Sequence, residues 1–577
     1  MGSKERKADA DPRWAVFLVG GALFLGQVAV LPGAASPFRL PKEAVVLAAL
    51  CLAAGIAGAG ALRRGTLAVP RGGLLAALLT LPLLQAVSML WSASPRRALE
   101  SSLLTLIWVV GILWLATLGP ASRRRLVLFA ALGTTVSATV MMTQVGGLEL
   151  LTLSERFADG RLRLTGLTGN PSDLAMAAVV LLPLLLVWGE ESTWTWLYRA
   201  LAAVLALAAL ITQTLTGLVA LAALLVVWLI KRRSRTLTLA TLGVGAAVVL
   251  IALAAGLGAR LQLGVERVRA GNWYELLSAR GDGWSAGTEM IRERPFTGVG
   301  AANFTQLYYP SRIAWLSRHG GTGRRGELAS HFEWAHCDPL QQEAELGVLG
   351  LLWMVALAVA LFRTRTRADP VLPLAAAALT PFLLLHYPTH VAVGLVPIAL
   401  VLAHLLASQE TDRTAAEWRA RGPLAILLVI LALVGAGWQL RRTALNLWMG
   451  GLEQRLLIPQ EAEADLRVRA AALVEAQILP RIGRLPGVEP ILWRTVGRAR
   501  LLRNEPRGAE AAFRTAAAGW AHEDADFYLG LSLAAQGRRG EALAVLGRVC
   551  RTNPALLQLI PEPGLRRSVQ DMVEVYR

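Results

Sequence analysis

Residues 198–235 read YRALAAVLALAALITQTLTGLVALAALLVVWLIKRRSR. About 20 apolar residues at helical rise cross the hydrocarbon core of a bilayer, so the stretch is either one long tilted helix or two spans. Thr212, Gln213, Thr214, Thr216 and Gly217 sit at its middle, and a polar, glycine-containing break there reads as a turn between two spans. Lys231, Arg232, Arg233 and Arg235 close the second of them. Cytoplasmic loops retain such positive charge.

Working outward on the same ruler, spans fall near 14–31, 43–62, 73–91, 102–118, 126–142, 173–188, 198–213, 216–230, 237–257, 347–362, 371–386, 391–407 and 423–440. The first run is longer than the apolar part of a signal peptide and reads as a retained span. Each span must be helical, because unpaired backbone amides are too costly in lipid. Arg63, Arg64 and Arg71 follow the second run, Arg123 to Arg125 the fourth, and Arg363, Arg365 and Arg367 the tenth. Every second loop carries the basic cluster, which places the N-terminus in the cytoplasm. With about 13 spans, everything after Leu440 then lies on the outer side. Only 17% of the residues are charged and 55% are hydrophobic. The net charge of +18 therefore belongs to loops facing a lipid bilayer, and no basic-aromatic module points to nucleic acid.

Two outer loops are long, Thr143 to Asn170 and Gly258 to Leu346, and loops of the second size are usually functional. The expected division is a membrane domain, 1–440, with the large loop at 258–346, and a charged, Ala-rich helical domain at 441–577. That tail carries an internal repeat. Leu529, Gly530, Leu533, Ala542, Leu546, Val549 and Pro554 fit positions 7, 8, 11, 20, 24, 27 and 32 of the tetratricopeptide pattern. Val496, Gly497, Ala509, Phe513 and Ala516 fit one repeat earlier, where Arg500 departs at position 11 and a degenerate third repeat would cover 456–487. Of the three cysteines, Cys51 lies in an apolar run, and pairing of Cys337 with Cys550 is left open.

Three strings could carry chemistry. The first runs from Arg161 and Arg163 through Gly166, Gly169, Asn170, Pro171, Ser172 and Asp173. Asn170 suits a helix cap, Pro171 the first helical position, and Asp173 the helix dipole. The two arginines stand on the side where topology does not favour positive charge. The second holds Arg280-Gly281-Asp282-Gly283-Trp284 and then Pro295-Phe296-Thr297-Gly298-Val299-Gly300. Its Gly-x-Gly lacks the strand and helix of a nucleotide loop and suits a tight turn. The third is His336-Cys337-Asp338-Pro339-Leu340-Gln341, followed by Glu345-Leu346-Gly347-Val348-Leu349-Gly350. Taken singly, a loop arginine is a solvated charge, and His386 and His390 are either cavity-lining or interfacial.

Together, in this order and at these places among the spans, the strings resemble the O-antigen ligase and O-antigen polymerase superfamily over roughly 40–410. The turn at Leu215-Thr216-Gly217 lacks the basic residue that many members carry there. The resemblance implies an all-α, GT-C-like polytopic bundle in a bacterial inner membrane, with a periplasmic site and a periplasmic tetratricopeptide-like domain. It implies inverting, metal-independent transfer of a glycan from an undecaprenyl-pyrophosphate donor, with no cofactor. Acceptors in such a superfamily are lipid A core, a growing glycan or a protein, and the repeats would bind a protein partner. Arg161, Arg163 and Arg280 would stabilise the pyrophosphate leaving group, a task suited to forked guanidinium groups. His336 would orient or deprotonate the acceptor hydroxyl, with Asn170, Asp338, Glu345, His386 and His390 in support. His331, His336 and Asp338 form no convincing metal-ligand spacing. A transporter would need charges within the spans, whereas Glu43 and Glu100 lie at span edges. A scaffold that only recruits a partner would tolerate loss of His336.

Overall fold

A computed structural model describes residues 13–64, 67–69, 72–148, 150, 164–232, 265–272, 276–277, 280–322, 332–363, 369–409, 416–418, 422–457, 464–485 and 487–575. Twelve of the expected spans fall on helices: α1 (Arg13–Val28), α2 (Leu40–Arg64), α3 (Gly73–Val87), α4 (Pro95–Thr117), α5 (Pro120–Val145), α6 (Pro171–Glu191), α7 (Thr195–Ile211) and α8 (Leu215–Arg232), then four that follow the large loop. That loop contains α9 (Arg280–Glu293), α10 (Phe304–His319) and α11 (Asp338–Leu346). Next come α12 (Val348–Arg363), α13 (Val371–Leu385), α14 (Ala392–Ser408) and α15 (Gly422–Leu456). The span expected at 237–257 lies outside the described residues. Among those described, seven helices are long and apolar enough to cross a membrane alone, and α1, α7, α12, α13 and α14 are shorter apolar helices.

The turn that decided the count is present. Helix α7 ends at Ile211, α8 begins at Leu215, and Gln213 between them has φ 51°. Thr212 Oγ1 donates to the Ala209 carbonyl at 2.8 Å and lies 3.3 Å from Thr214 Oγ1. The polar residues thus serve backbone groups that the break between the two helices releases. Gly217 is needed because a Cβ there would stand 2.7 Å from the Ala175 Cβ.

Helix α6 is the axis of the bundle, buried at every residue from Asp173 to Leu185. At the periphery α12 exposes Leu349, Leu351, Leu352, Val355, Val359 and Phe362, and α15 exposes Leu427, Ile430, Leu433 and Val434. Apolar stripes of this extent are a lipid-facing surface. Helices α2 and α15 approach closely through small residues: a Cβ on Gly58 would meet the Ala425 carbonyl oxygen at 2.9 Å, and one on Gly435 the Cys51 sulfur at 2.8 Å. Such contacts replace the hydrophobic effect as the packing force in lipid. A short antiparallel pair, β1 (Leu67–Val69) with β2 (Ala416–Trp418), ties the loops before α3 and α15.

Helix α15 continues unbroken through 440, so the change of composition there falls inside a helix. Beyond it α16 (Ala464–Ile478), α17 (Glu489–Leu502), α18 (Pro506–Gly519), α19 (Glu523–Ala535), α20 (Arg539–Thr552) and α21 (Pro563–Glu574) pack each against the next. The same close contact recurs in successive hairpins: Gly497 lies under the Phe513 ring and Gly530 under Leu546, each with room for no Cβ. Arg500, the departure from the repeat pattern, is bound to Glu475 of α16 at 2.7 Å. All three cysteines are free, so Cys337 and Cys550 are not paired. Cys550 is instead part of an apolar cluster in which α19–α21 pack on α9 and α10.

Candidate active site

The second and third strings of the sequence are two sides of one backbone joint. Val299 N donates to the Ala344 carbonyl at 3.0 Å, Gly300 N to the Glu345 carbonyl at 2.8 Å, and Val348 N to the Pro295 carbonyl at 3.0 Å. The glycines permit this approach. Gly298 and Gly347 have φ 65° and 63°, and a Cβ on Gly298 would stand 2.6 Å from Gly347 N. Glu345 completes the joint by accepting from Ala302 N at 2.7 Å and from Gln341 Nε2 at 3.0 Å. Burial pushes its carboxyl up to about 7. The loop between α3 and α4 closes the far side, where Trp91 Nε1 donates to the Thr297 carbonyl at 2.8 Å and Asn303 Nδ2 to Ser92 Oγ at 2.6 Å.

Upstream of α11 the chain turns sharply at His336, whose φ is 56°. A left-handed backbone at a non-glycine residue is a strained feature that clusters at functional sites. His336 Nδ1 lies 3.1 Å from the Trp334 carbonyl. A carbonyl only accepts, so the proton is on Nδ1 and the lone pair on Nε2. Burial, then the neighbouring His386 and Arg280, push the imidazole down to about 3, which keeps it neutral. Asp338, two residues on, turns away: it accepts from Thr389 Oγ1 at 2.7 Å and from Thr389 N at 3.2 Å, with His390 Nε2 3.5 Å from its other oxygen. Burial raises this carboxyl to about 7 and lowers His390 to about 3.

The first string enters from α6. Asn170 caps the helix, its Oδ1 accepting from Ser172 N at 2.9 Å, while its Nδ2 reaches Tyr387 Oη at 3.2 Å. One turn in, Asp173 Oδ1 is 2.7 Å from His386 Nε2. The Tyr387 ring stands between the two histidines, with centroids 4.7 Å from His336 and 4.0 Å from His386. His336 and His386 are 6.3 Å apart. Below them the Lys42 ammonium, 1% exposed, donates to the carbonyls of Ala29, Phe38 and Leu167 at 2.6–2.7 Å. It ties the α1–α2 loop to the first string. Arg39 stacks 3.9 Å over Trp334 and pairs with Glu333 at 2.6 Å.

The structure therefore brings His336, Arg280, Asn170 and His386 into one neighbourhood, seats His390 and Asp338 beside it, and places Glu345 in the joint beneath. Arg280 heads α9 and donates to the Leu277 carbonyl at 3.3 Å. Its Nε is buried without a hydrogen-bond partner among the described residues, and burial lowers its pKa. Arg161, Arg163 and His331 lie outside the described residues. Sequence reasoning read Asp173 only as a dipole partner and passed over Lys42, Arg39 and Tyr387. A lysine one residue from a glutamate at a span's edge was the available signal for Lys42.

Apolar helices around a buried axis, lipid-facing stripes, and a polar cluster at one end of the bundle define a polytopic helical membrane protein. A family model described as O-antigen ligase matches residues 200–355. The match runs from within α7 through the first half of α12, and so includes Arg280, the glycine joint, His336 and Glu345. Among curated proteins none gives a significant match.

Proposed function

We propose that this chain transfers or polymerises a glycan from an undecaprenyl-pyrophosphate donor onto an acceptor hydroxyl at the outer face of a bacterial inner membrane. The observation that carries the reading is the convergence of a neutral histidine, His336, with the buried guanidinium of Arg280, inside the segment that resembles O-antigen ligases. Displacement at the anomeric carbon needs positive charge where the pyrophosphate departs, and an imidazole to receive the hydroxyl. Arg280 supplies the first, together with Arg161 and Arg163, and His336 the hydrogen-bond acceptor that orients the second. The mechanism is an inverting displacement that needs no metal.

The polar cluster is formed by the N-terminal ends of α2, α6 and α14, while Arg63, Arg123, Arg124, Arg125, Lys231, Arg232 and Arg363 stand at the other end. That asymmetry supports an outer-facing site under the positive-inside rule. The recurring hairpins after α15 resemble tetratricopeptide repeats, and a concave helical array is suited to holding a protein or a long glycan. The same arrangement would serve a protein O-oligosaccharyltransferase, which differs only in acceptor.

The test is transfer by purified wild-type and His336→Ala protein in detergent, with an undecaprenyl-pyrophosphate oligosaccharide and three acceptors offered separately: lipid A core, the same repeat unit and an unfolded secreted protein. Transfer to one acceptor, lost in a folded variant, supports the reading. No transfer to any of the three, or an unimpaired variant, refutes it.

A further inference from the structure

The proposed reaction needs a group that takes the acceptor's proton, and His336 is poorly suited to it. Buried beside Arg280 and a second histidine, it resists gaining charge, and general bases work best with a pKa near the working pH. His386 is built differently. It is 1% exposed, and its Nε2 lies 2.7 Å from Asp173 Oδ1. An ionised carboxylate only accepts, so Nε2 carries the proton and the lone pair is on Nδ1. Nδ1 is buried and has no hydrogen-bond partner among the described residues. Leaving a buried nitrogen without a partner is costly. Of the other buried polar atoms here without a hydrogen-bond partner among the described residues, Arg280 Nε can only donate, and Asp338 Oδ1 and His390 Nε2 face each other at 3.5 Å.

Resting on the transferase reading above, we propose that Asp173 and His386 form the proton-accepting dyad of this site, His386 Nδ1 taking the proton of the acceptor hydroxyl. As that O–H bond breaks, the oxygen attacks the anomeric carbon of the donor. The bond from that carbon to the pyrophosphate oxygen breaks, and its electron pair leaves with the polyprenyl pyrophosphate. His386 becomes an imidazolium hydrogen-bonded to the Asp173 carboxylate and later returns the proton to solvent. Asp173 is a positioning residue, since it fixes which nitrogen carries the lone pair. His336, 6.3 Å away ring to ring, remains to orient the acceptor through Nε2.

The experiment uses the full chain in detergent and compares wild type, His386→Ala, Asp173→Asn and His336→Ala. Each is assayed for transfer from the undecaprenyl-pyrophosphate oligosaccharide, with and without sodium azide. Azide is a nucleophile that needs no base, so it should restore donor cleavage, as the glycosyl azide, only where the missing group is the base. General-base loss is worth roughly 10²–10⁴-fold, so His386→Ala should lose kcat by that range with little change in donor KM. Azide should rescue it, and should rescue the near-isosteric Asp173→Asn in part. The dyad is refuted if His386→Ala keeps transfer within about tenfold of wild type. It is also refuted if azide rescues His336→Ala instead, or if neither His386→Ala nor Asp173→Asn responds to azide. If His386→Ala fails to fold, Asp173→Asn decides by the same criteria. Absence of transfer by wild type refutes the parent reading, and is thereby distinct from failure of the dyad.

Discussion

Substituting Gly298 by alanine tests whether the glycine joint holds the site. At φ 65° a side chain costs about 1–2 kcal/mol for the left-handed backbone alone. The added Cβ would also press on the Glu345 carbonyl and stand 2.6 Å from Gly347 N. Both are backbone atoms, and no rotamer change relieves the clash. The joint must open, which strains the bonds from Val299 N, Gly300 N and Val348 N, each worth about 1 kcal/mol net. The sum is about 4–5 kcal/mol. The assay is thermal unfolding of the detergent-solubilised protein, with Gly321→Ala as reference. Gly321 also has positive φ, 83°, but a Cβ there meets nothing within 4 Å, so only the backbone cost of about 1–2 kcal/mol applies. Gly298→Ala should melt well below that reference. Combined with Gly347→Ala the loss should fall short of the sum, because both substitutions open one joint. If Gly298→Ala melts no lower than Gly321→Ala, the argument from close approach is wrong.

Lys42→Met should lower the melting temperature and diminish transfer, since it orphans the carbonyls of Ala29, Phe38 and Leu167 at a cost of at least about 2 kcal/mol; an unchanged melt would show that the tie carries nothing. Glu523 of α19 is held at about 8, chiefly by burial and then by Asp524 and Asp282, above its ordinary 4.5. The folded state thus binds its proton more tightly than the unfolded state, so this contribution is full below about 4.5 and is lost as pH rises through about 8. Wild type should therefore lose more melting temperature between those pH values than Glu523→Gln, and parallel curves would contradict this. Tyr309→Phe removes the 2.9 Å bond to Asp526 and should cost about 1 kcal/mol, read by limited proteolysis as earlier release of the C-terminal helices. Equal cleavage rates would place their anchorage elsewhere.

Much of the architecture was legible because lipid imposes a local rule. A span needs enough consecutive apolar residues to cross the hydrocarbon, and that is a property of neighbours in the chain. The break at Thr212 to Gly217, the cap at Asn170 and the glycine turn at 298–300 are local in the same way. The polar ends of α7 and α8 and the Asn170 side chain satisfy backbone groups within a few residues, so their composition betrays them. The repeat of Gly497 on Phe513 and Gly530 on Leu546 was legible as periodic small and large residues.

The site was legible only in its parts. His336, Arg280 and Asn170 stood out as strings, but nothing in the spacing joins Asp173 to His386, Lys42 to Leu167 or Ser92 to Asn303. Those partners come from segments far apart in sequence, and no chain-local rule pairs them. The tertiary structure also decided what each group can do. His336 and His386 are the same side chain with the same intrinsic basicity. One is bonded to a backbone carbonyl beside Arg280, and the other to a buried carboxylate. Sequence by itself determined that this chain is a bundle of helices in a membrane. Only packing, which sets each group's neighbours, burial and hydrogen-bond partners, could distinguish the two histidines.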